Sequence, residues 1–182
     1  MRVFEERPRP SALSFEDLAL PLFDQLYNFA RWLTQDKAEA EDLVQETYVK
    51  ALRGFSSFQP GTNFRAWMYR ILRNSFLSSR TGLKTTVLLD EEENEGLPVE
   101  TATPESLLIE RANREMVQRA LEGLAVPFRE ILLLCEVEEM SYQEIGETLA
   151  IPVGTVMSRL FRARQALRVA LRERIEGERR GV

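Results

Sequence analysis

The 182-residue sequence contains no histidine and one cysteine, Cys135. A single cysteine cannot form an internal disulfide. Without histidine, the usual zinc sites and the Ser-His and Cys-His nucleophile pairs also lack members. These absences exclude most familiar enzyme chemistries, and we expect neither a metal site nor a cofactor.

Long hydrophobic segments are missing as well. The longest uninterrupted apolar run, Ile131 to Cys135, is far shorter than the roughly 18 residues needed to span a bilayer. The first ten residues, MRVFEERPRP, lack the apolar core of a signal peptide. We therefore expect a soluble, cytoplasmic protein with no direct membrane insertion.

The net charge of −5 hides a strong segregation of sign. Thr47 to Leu89 carries seven basic residues and no acid, and Ile151 to Arg172 carries five arginines and no acid. Between them, Thr85 to Ser106 carries seven acids and no base. Two basic segments separated by an acidic one predict a ligand of repeated negative charge that is held at two places.

The acidic segment also divides the chain. Residues 88–104 contain two prolines, one glycine and little apolar periodicity, as is typical of a solvated linker. We predict an all-α protein of two small helical domains joined by a flexible acidic linker. The boundaries are an N-terminal tail at 1–13, a first domain at 14–86, the linker at 87–104 and a second domain at 105–182.

In the first domain, Asp36 and Glu39 predict the start of a helix over 37–53 that stops at Gly54. An earlier helix is predicted from Phe15 to Leu33, with a kink or a late start at Pro21. The helical period places one set of residues of helix 37–53 toward the core: Ala40, Leu43, Val44, Thr47, Tyr48, Ala51 and Leu52. It leaves the opposite set exposed: Asp42, Gln45, Glu46, Val49 and Arg53.

A third helix is predicted from Asn63 to Ser79, with two chemically distinct faces. Its apolar arc consists of Phe64, Trp67, Met68, Ile71 and Leu72. The rest of its surface consists of Arg65, Tyr69, Arg70, Arg73, Asn74 and Arg80. Arginines beside exposed rings and amides suit single-stranded nucleic acid, because arginines bind phosphates and rings stack on unpaired bases. On this interpretation Phe64 and Trp67 belong to the core, whereas Tyr69 and Asn74 are exposed.

The second domain has the pattern of a helix-turn-helix. Thr103-Pro104 opens a helix that stops at Gly123, and Pro127 opens one through Glu136. Ser141 and Glu144 form a capping box for a short helix ending near Leu149, and a turn at 150–154 leads into a long basic helix from Thr155. Its apolar stripe is Val156, Leu160, Ala163, Leu167 and Leu171. The opposite side offers Thr155, Ser158, Arg159 and Arg162 to base edges, with Arg164, Arg168 and Arg172 for phosphates.

Together, DKAEAEDLVQETYVKALRGFSSF, FRAWMYRILRNSF and SYQEIGETLAIPVGTVMSRLFRARQAL resemble the two domains of extracytoplasmic-function sigma factors. The resemblance covers nearly the whole chain beyond the first dozen residues. It implies a dissociable, non-enzymatic subunit that directs bacterial RNA polymerase to specific promoters and promotes DNA opening, in a stress or envelope response. The resemblance implies three partners. The first is core polymerase, which the chain would bind through the clamp helices of the largest subunit and the flap of the second-largest. The others are promoter DNA, in duplex and single-stranded form, and an anti-sigma factor.

The resemblance also implies roles for particular residues. Asp42, Gln45, Glu46 and Val49 would bind core polymerase. The downstream promoter element would be captured by Phe58, Thr62, Asn63, Arg65, Tyr69, Arg70, Arg73 and Asn74, with a flipped base held by loop 58–64 and Asn74. The upstream element would be read by Thr155, Ser158, Arg159, Phe161, Arg162, Arg164 and Arg168. Met157 replaces a basic residue that contacts DNA in several members, and Ala150 stands at a turn position that is often glycine.

Two other functions remain open on the sequence. A self-standing helix-turn-helix regulator would bind duplex promoter DNA alone and would need no exposed surface such as Asp42, Gln45 and Glu46. A nucleic-acid-processing enzyme would have only the acidic linker as a metal site, and a linker offers no fixed scaffold for its ligands. The linker itself suits either a flexible tether or a route through the RNA exit path.

Overall fold

The computed structural model describes residues 14–81 and 112–180. Over these ranges the chain forms helices and connecting turns with no strand, in agreement with the predicted all-α class. Contacts divide the chain into an N-terminal unit, up to Ser75, and a C-terminal unit, from Phe76. The tail 1–13 and the linker 87–104 lie outside the described residues, so their predicted boundaries remain predictions.

The N-terminal unit begins with helix α1, Phe15–Ala19, which is capped by Ser14 and Asp17. A single 3-10 turn, Leu20–Leu22, then leads into α2, Phe23–Thr34. Pro21 lies in that turn, because proline provides no amide hydrogen for an α-helical bond. The predicted interruption at Pro21 is therefore confirmed.

Helix α3, Lys37–Gly54, has the predicted bounds to within one residue. The Asp36 carboxylate accepts a hydrogen bond from the Glu39 amide at 2.9 Å and so caps its first turn. The predicted core residues are buried or partly buried except Leu52, which is 56% exposed. Leu52 lies about 100° around the helix from Ala51, so its side chain falls beyond the edge of the buried face.

Helix α4, Phe64–Thr81, follows the 3-10 turn Phe55–Ser57 and the loop 58–63. Its buried face differs from the predicted arc, because Tyr69 is 0% exposed and Ser75 and Phe76 are buried with it. Trp67 and Ile71 are only partly buried. The prediction that Tyr69 is exposed was wrong, since its ring supplies apolar area to the core against Phe29, 5.2 Å away between ring centroids.

The C-terminal unit starts with α5, Ala112–Glu122, and α6, Val126–Leu132, which continues as a π-helical turn through Leu133–Val137. The predicted start of α5 at Thr103-Pro104 lies outside the described residues, whereas its stop before Gly123 is confirmed. Buried Arg129 donates to the carbonyls of Glu122 and Leu124 at 3.1 and 3.0 Å. These bonds tie α6 to the end of α5, where carbonyls lack helical partners.

Helix α7, Tyr142–Leu149, has the predicted capping box of Ser141 and Glu144. Ala150 ends it in the left-handed conformation, with φ of 55°. Helix α8, Val153–Arg180, begins two residues before the predicted Thr155, so the turn is shorter than expected. Val156, Leu160 and Ala163 are fully buried, and α8 packs against α5, α6 and α7.

The backbone passes closest at the turn between α7 and α8. A Cβ atom added at Gly146 would lie 3.0 Å from the carbonyl oxygen of Ile151, whose amide already donates to the Gly146 carbonyl at 3.0 Å. The turn therefore requires glycine at this point of α7. This close packing fixes the N-terminal end of α8 on the surface of the C-terminal unit.

Candidate functional site

The first candidate surface lies on the side of α3 that faces away from the core. The four polymerase-binding residues expected there are all exposed, at Asp42, Gln45, Glu46 and Val49. Val49 is 48% exposed, although the neighbouring positions Val44 and Thr47 are buried. Leu52, three positions later on α3, is 56% exposed, so this side of the helix carries two neighbouring apolar side chains. Together they support a surface for a protein partner better than a lone valine does.

A short polar chain fixes one end of this surface. The Lys50 ammonium lies 2.6 Å from a Glu46 carboxylate oxygen and donates to the Ser75 hydroxyl at 2.9 Å. Ser75 belongs to α4 and is buried. Glu46 is therefore held one turn from Asp42, on a helix whose orientation is fixed by its contacts with α2 and α4.

The second candidate surface is the loop 58–63 with the exposed side of α4. A cluster of rings anchors the loop: the Phe58 centroid lies 5.2 Å from Phe64 and 5.1 Å from Trp67, and Phe55 stacks on Phe58 at 6.1 Å. Edge and tilted ring contacts of this kind stabilise beyond the area that they bury. Phe58 thus holds the start of the loop through packing and remains partly exposed.

Hydrogen bonds define the rest of the loop. The Thr62 amide and hydroxyl both donate to the Gln59 carbonyl, at 3.2 and 2.8 Å. The Asn63 side-chain oxygen accepts from the Ala66 amide at 3.0 Å and caps α4. Gly61 has φ of 90°, which favours glycine. Thr62 and Asn63 are therefore held in place by hydrogen bonds within the loop and to the start of α4.

The exposed side of α4 carries only part of the expected set. Arg70 and Asn74 lie one turn apart on the side away from the core, with Arg73 beside them. Arg65 lies nine positions before Asn74, about 180° around the helix, and its guanidinium sits over the buried Tyr69 ring at 5.6 Å. Arg65 and Tyr69 therefore belong to the core side of α4 and do not converge with Asn74.

Trp67 is the residue that the sequence reasoning missed on this surface. It is partly exposed and lies seven positions before Asn74, on the same face of α4 and next to Phe58. The helical wheel of α4 could have predicted this exposure. If Tyr69 is counted among the apolar residues, the centre of the predicted buried face moves toward Tyr69 and away from Trp67. The Trp67 indole is partly exposed on the same side of α4 as Arg70, whereas the Tyr69 ring is buried.

The third candidate surface is the N-terminal half of α8. Ser158, Phe161 and Arg162 are exposed, and Thr155 and Arg159 are partly exposed at its edge. The Ser158 hydroxyl donates to the Thr155 carbonyl at 3.2 Å and so stays close to its own helix. The structure thus brings the expected base-reading residues onto one face, with the buried stripe of Val156 and Leu160 opposite.

Arg164 of α8 is paired with a carboxylate from the preceding π-helical turn. Its guanidinium donates to Glu136 at 2.7 and 3.1 Å and approaches the Cys135 sulfur at 3.8 Å. The hydrogen bond to Glu136 raises the pKa of Arg164, and burial followed by the Glu136 charge raises the pKa of the Cys135 thiol. A phosphate would have to compete with Glu136 for Arg164, whereas Arg168 is exposed farther along α8.

A metal-binding cluster and a membrane-spanning helix are both absent from the described ranges 14–81 and 112–180. No group of three or more acidic, histidine or cysteine side chains there is arranged to hold a metal ion. No helix in those ranges is long and apolar enough to cross a membrane.

Comparison with known proteins gives this arrangement a family. Residues 21–85 match the Sigma-70 region 2 model and residues 114–167 match the Sigma-70 region 4 model. The chain is 32% identical to ECF RNA polymerase sigma factor SigW of Bacillus subtilis, over 88% of this chain and 90% of that protein. It is 38% identical to SigE of Mycolicibacterium smegmatis over 85% of this chain, and spans 60% of that longer protein.

Solved structures agree with this relationship. The sigma factor RpoE of Bartonella quintana, in complex with the anti-sigma factor NepR, is similar with a TM-score of 0.66 and 31% identity, over 87% of this chain and 96% of that one. CnrH, in complex with the cytosolic domain of CnrY, is similar with a TM-score of 0.63 and 26% identity, over 87% and 88%. The two helical units are those of a sigma factor. The chain belongs to the ECF family of RNA polymerase sigma factors, which are DNA-binding initiation factors and not enzymes.

Proposed function

We propose that this chain binds bacterial core RNA polymerase, directs it to specific promoters and promotes opening of the duplex. The observation that carries the proposal is the exposed set on α3, where Val49 is 48% exposed between polar neighbours. A self-standing DNA-binding regulator has no need of this surface. Asp42, Gln45, Glu46 and Val49 bind the clamp helices of the largest subunit, and the C-terminal unit binds the flap of the second-largest.

The loop 58–63 and the exposed side of α4 capture the downstream element as single-stranded DNA. The preformed loop, anchored by Phe58 and shaped by Gly61, supports this role because little ordering is lost when a base binds. Arg70 and Arg73 bind phosphates, Asn74 reads a base edge, and the Trp67 ring takes the stacking role first assigned to Tyr69. Thr62 and Asn63 position the loop through their hydrogen bonds.

The exposed face of α8 reads the upstream element in the major groove. Thr155, Ser158 and Arg162 face the base edges, with Arg159 and Phe161 at the sides of the same surface. Arg168 binds phosphate. Arg164 contributes less than Arg168, because its guanidinium is already paired with Glu136 at 2.7 Å.

An anti-sigma factor is proposed as the partner that holds the chain inactive until a stress or envelope signal releases it. The support is that RpoE, one similar solved structure, was determined in complex with the anti-sigma factor NepR, and CnrH, another, in complex with the cytosolic domain of CnrY. The exposed face of α3 is the surface that such a partner would need to cover to block polymerase.

The polymerase-binding surface is tested by charge reversal on α3. The Asp42→Lys, Glu46→Lys double variant should lose co-elution with core polymerase, because two attractive carboxylates become repulsive. Glu41→Lys is the matched control, since Glu41 is exposed on the same helix and pairs only loosely with Lys37, at 3.8 Å. Thermal unfolding should change little for either protein. Wild-type binding by the double variant, or the same loss in Glu41→Lys, would contradict the assignment.

The upstream surface is tested by comparing two arginines of α8 in the holoenzyme. Arg162→Ala should relax preference at one or two upstream positions, because a bidentate contact to guanine is worth about 1 to 3 kcal/mol of discrimination. Arg168→Ala should weaken all sequences alike and reduce the salt slope by about 0.9. Binding is measured on single-base promoter variants at several salt concentrations. Uniform losses in both variants would make α8 a phosphate clamp only.

A further inference from the structure

Two exposed apolar side chains stand beside the arginines of α8. Met157 is 56% exposed and Phe161 is 43% exposed. They are four residues apart, so their side chains lie on the same face, one turn from each other. Neither belongs to the buried stripe of Val156, Leu160 and Ala163. The fold therefore does not explain why these two positions are apolar.

Val153 extends the same line by one turn but has a packing role. It is 38% exposed, and one of its methyl groups would lie 3.8 Å from a Cβ atom at Gly146, on α7. Its side chain thus helps to fill the close approach between α7 and α8. The exposed apolar pair outside this close approach consists of Met157 and Phe161.

The surroundings of this patch indicate DNA rather than the apolar core of a protein partner. On the helical wheel Phe161 lies between Met157 and Ser158, and Arg162 follows on the other side of Ser158. The segment from Ile151 to Arg172 has five arginines and no acid. Glu136 pairs with Arg164 at one end of the patch, and the other charged side chains of α8 beside it, such as Arg162, are positive. Positive charge of this kind is complementary to the phosphate-lined edge of a DNA groove.

One base offers an apolar group in the major groove. Thymine carries a C5-methyl group there, and apolar side chains recognise it by contact. We propose that Met157 and Phe161 contact thymine methyl groups in the upstream promoter element, on either strand, next to the bases that Arg162 reads. The proposal rests on the proposed function of α8. It gives the exposed methionine at 157 a role that its place in the fold does not explain.

Removal of the methyl group alone tests this contact. A holoenzyme made from the full chain and core polymerase first selects duplexes from a library that is randomised over the upstream element. Each selected thymine is then replaced by deoxyuridine. The wild-type holoenzyme should lose about fourfold in affinity at one or two positions, as expected for one buried methyl group. The Met157→Ala, Phe161→Ala double variant should bind both duplexes equally.

Controls separate recognition from folding. Val169→Ala removes a side chain that is 55% exposed on the same helix and outside the patch, and it should keep the fourfold ratio. Met157→Gln keeps the length of the side chain and should reduce the ratio without loss of helicity by circular dichroism.

Each outcome decides a different statement. Equal affinity of the wild-type holoenzyme for thymine and deoxyuridine, or the same ratio in the double variant, would overturn the thymine proposal alone. A wild-type holoenzyme that selects no upstream sequence would overturn the proposed function, and the thymine proposal with it.

Discussion

The two units build their cores from different materials. In the N-terminal unit, ring contacts run from Phe15 through Phe55, Phe58 and Phe64 to Trp67. In the C-terminal unit, the largest fully buried side chains are mainly aliphatic: Ile131, Leu133, Leu134, Ile145, Val156 and Leu160. Buried Arg129 and the glycine at 146 complete that packing.

The difference reflects what each unit has to hold. The N-terminal unit supports a loop of irregular backbone, and large rings fill the space beneath it and remain partly exposed. The C-terminal unit supports a helix at a fixed angle, which requires close backbone approach and small residues at the turn. Under the proposed function, Phe58 and Trp67 would serve both packing and binding, whereas on α8 the exposed and buried faces are separate.

The largest expected effect tests whether Tyr69 belongs to the ring core. Tyr69→Ala should destabilise the protein by about 3 to 5 kcal/mol, because a fully buried aromatic side chain is lost. Asn74→Ala, at an exposed position of the same helix, should change stability by less than about 0.5 kcal/mol. Urea unfolding measures both. A small effect at Tyr69 would mean that its ring is not part of the core, and would contradict the comparison between the two units.

A second effect concerns the tyrosine that joins α1 to α3. The Tyr48 hydroxyl donates to the Ala19 carbonyl at 2.7 Å, and burial, followed by the charge of Asp24, raises the pKa of Tyr48 to about 12. The folded pKa exceeds the unfolded value of 10.0, so the folded protein favours the neutral form of Tyr48. The stabilisation that neutral Tyr48 provides is complete below pH 10 and is lost as the pH rises through 12. The difference corresponds to at most about 2 to 3 kcal/mol, because solvent screens a side chain that is only partly buried.

The check is the free energy of unfolding between pH 9 and pH 12, measured for wild type and Tyr48→Phe. The variant should be less stable than wild type at pH 9 and should lack the tyrosine's share of the alkaline decline. Parallel pH profiles in the two proteins would show that Tyr48 titrates as it does in the unfolded chain.

A third effect sharpens the comparison at the turn of the C-terminal unit. Gly146→Ala should cost about 1 to 3 kcal/mol, because its Cβ atom would meet the Ile151 carbonyl oxygen at 3.0 Å and backbone has to move. Gly154→Ala is the matched control, since nothing lies within 4 Å of its Cβ position. Alanine in a helix should leave that variant as stable as wild type or up to about 1 kcal/mol more stable. Similar thermal unfolding of the two variants would contradict the close approach.

The smallest effect should be stabilising. Ala150 has φ of 55°, a conformation that costs an L-residue about 1 to 2 kcal/mol and costs glycine little. Ala150→Gly should therefore raise stability by about 0.5 to 1 kcal/mol after the greater entropy of the unfolded glycine chain is counted. Thermal unfolding measures the change, and a loss of stability would mean that the turn does not require the left-handed conformation.

Much of the fold could be predicted because its signals are local. The Asp36 cap and Gly54 gave the bounds of α3, Pro21 gave the break before α2, and Ser141 with Glu144 gave the start of α7. Each depends on hydrogen bonds within one turn of chain. The exposed set on α3 followed from the period of a single helix.

The errors arose where tertiary packing decides. Tyr69 is polar by class, but its ring packs on Phe29, forty residues earlier in the chain, and this rotates the buried face of α4. Arg129 and its bonds to the end of α5 have no sequence signature. The ion pair between Arg164 and Glu136 joins two helices. It could not be predicted from the segment 151–172, because that segment contains no acid and Glu136 lies outside it.

The central claim is that the exposed face of α3 recruits polymerase and the exposed face of α8 selects the promoter. The most direct measurement is retention on core polymerase together with promoter-selective transcription, made on wild type, the Asp42→Lys, Glu46→Lys variant and Arg162→Ala. We expect the α3 variant to lose both activities, and Arg162→Ala to be retained like wild type while it loses selectivity. Retention of the α3 variant, or loss of retention in Arg162→Ala, would contradict the account.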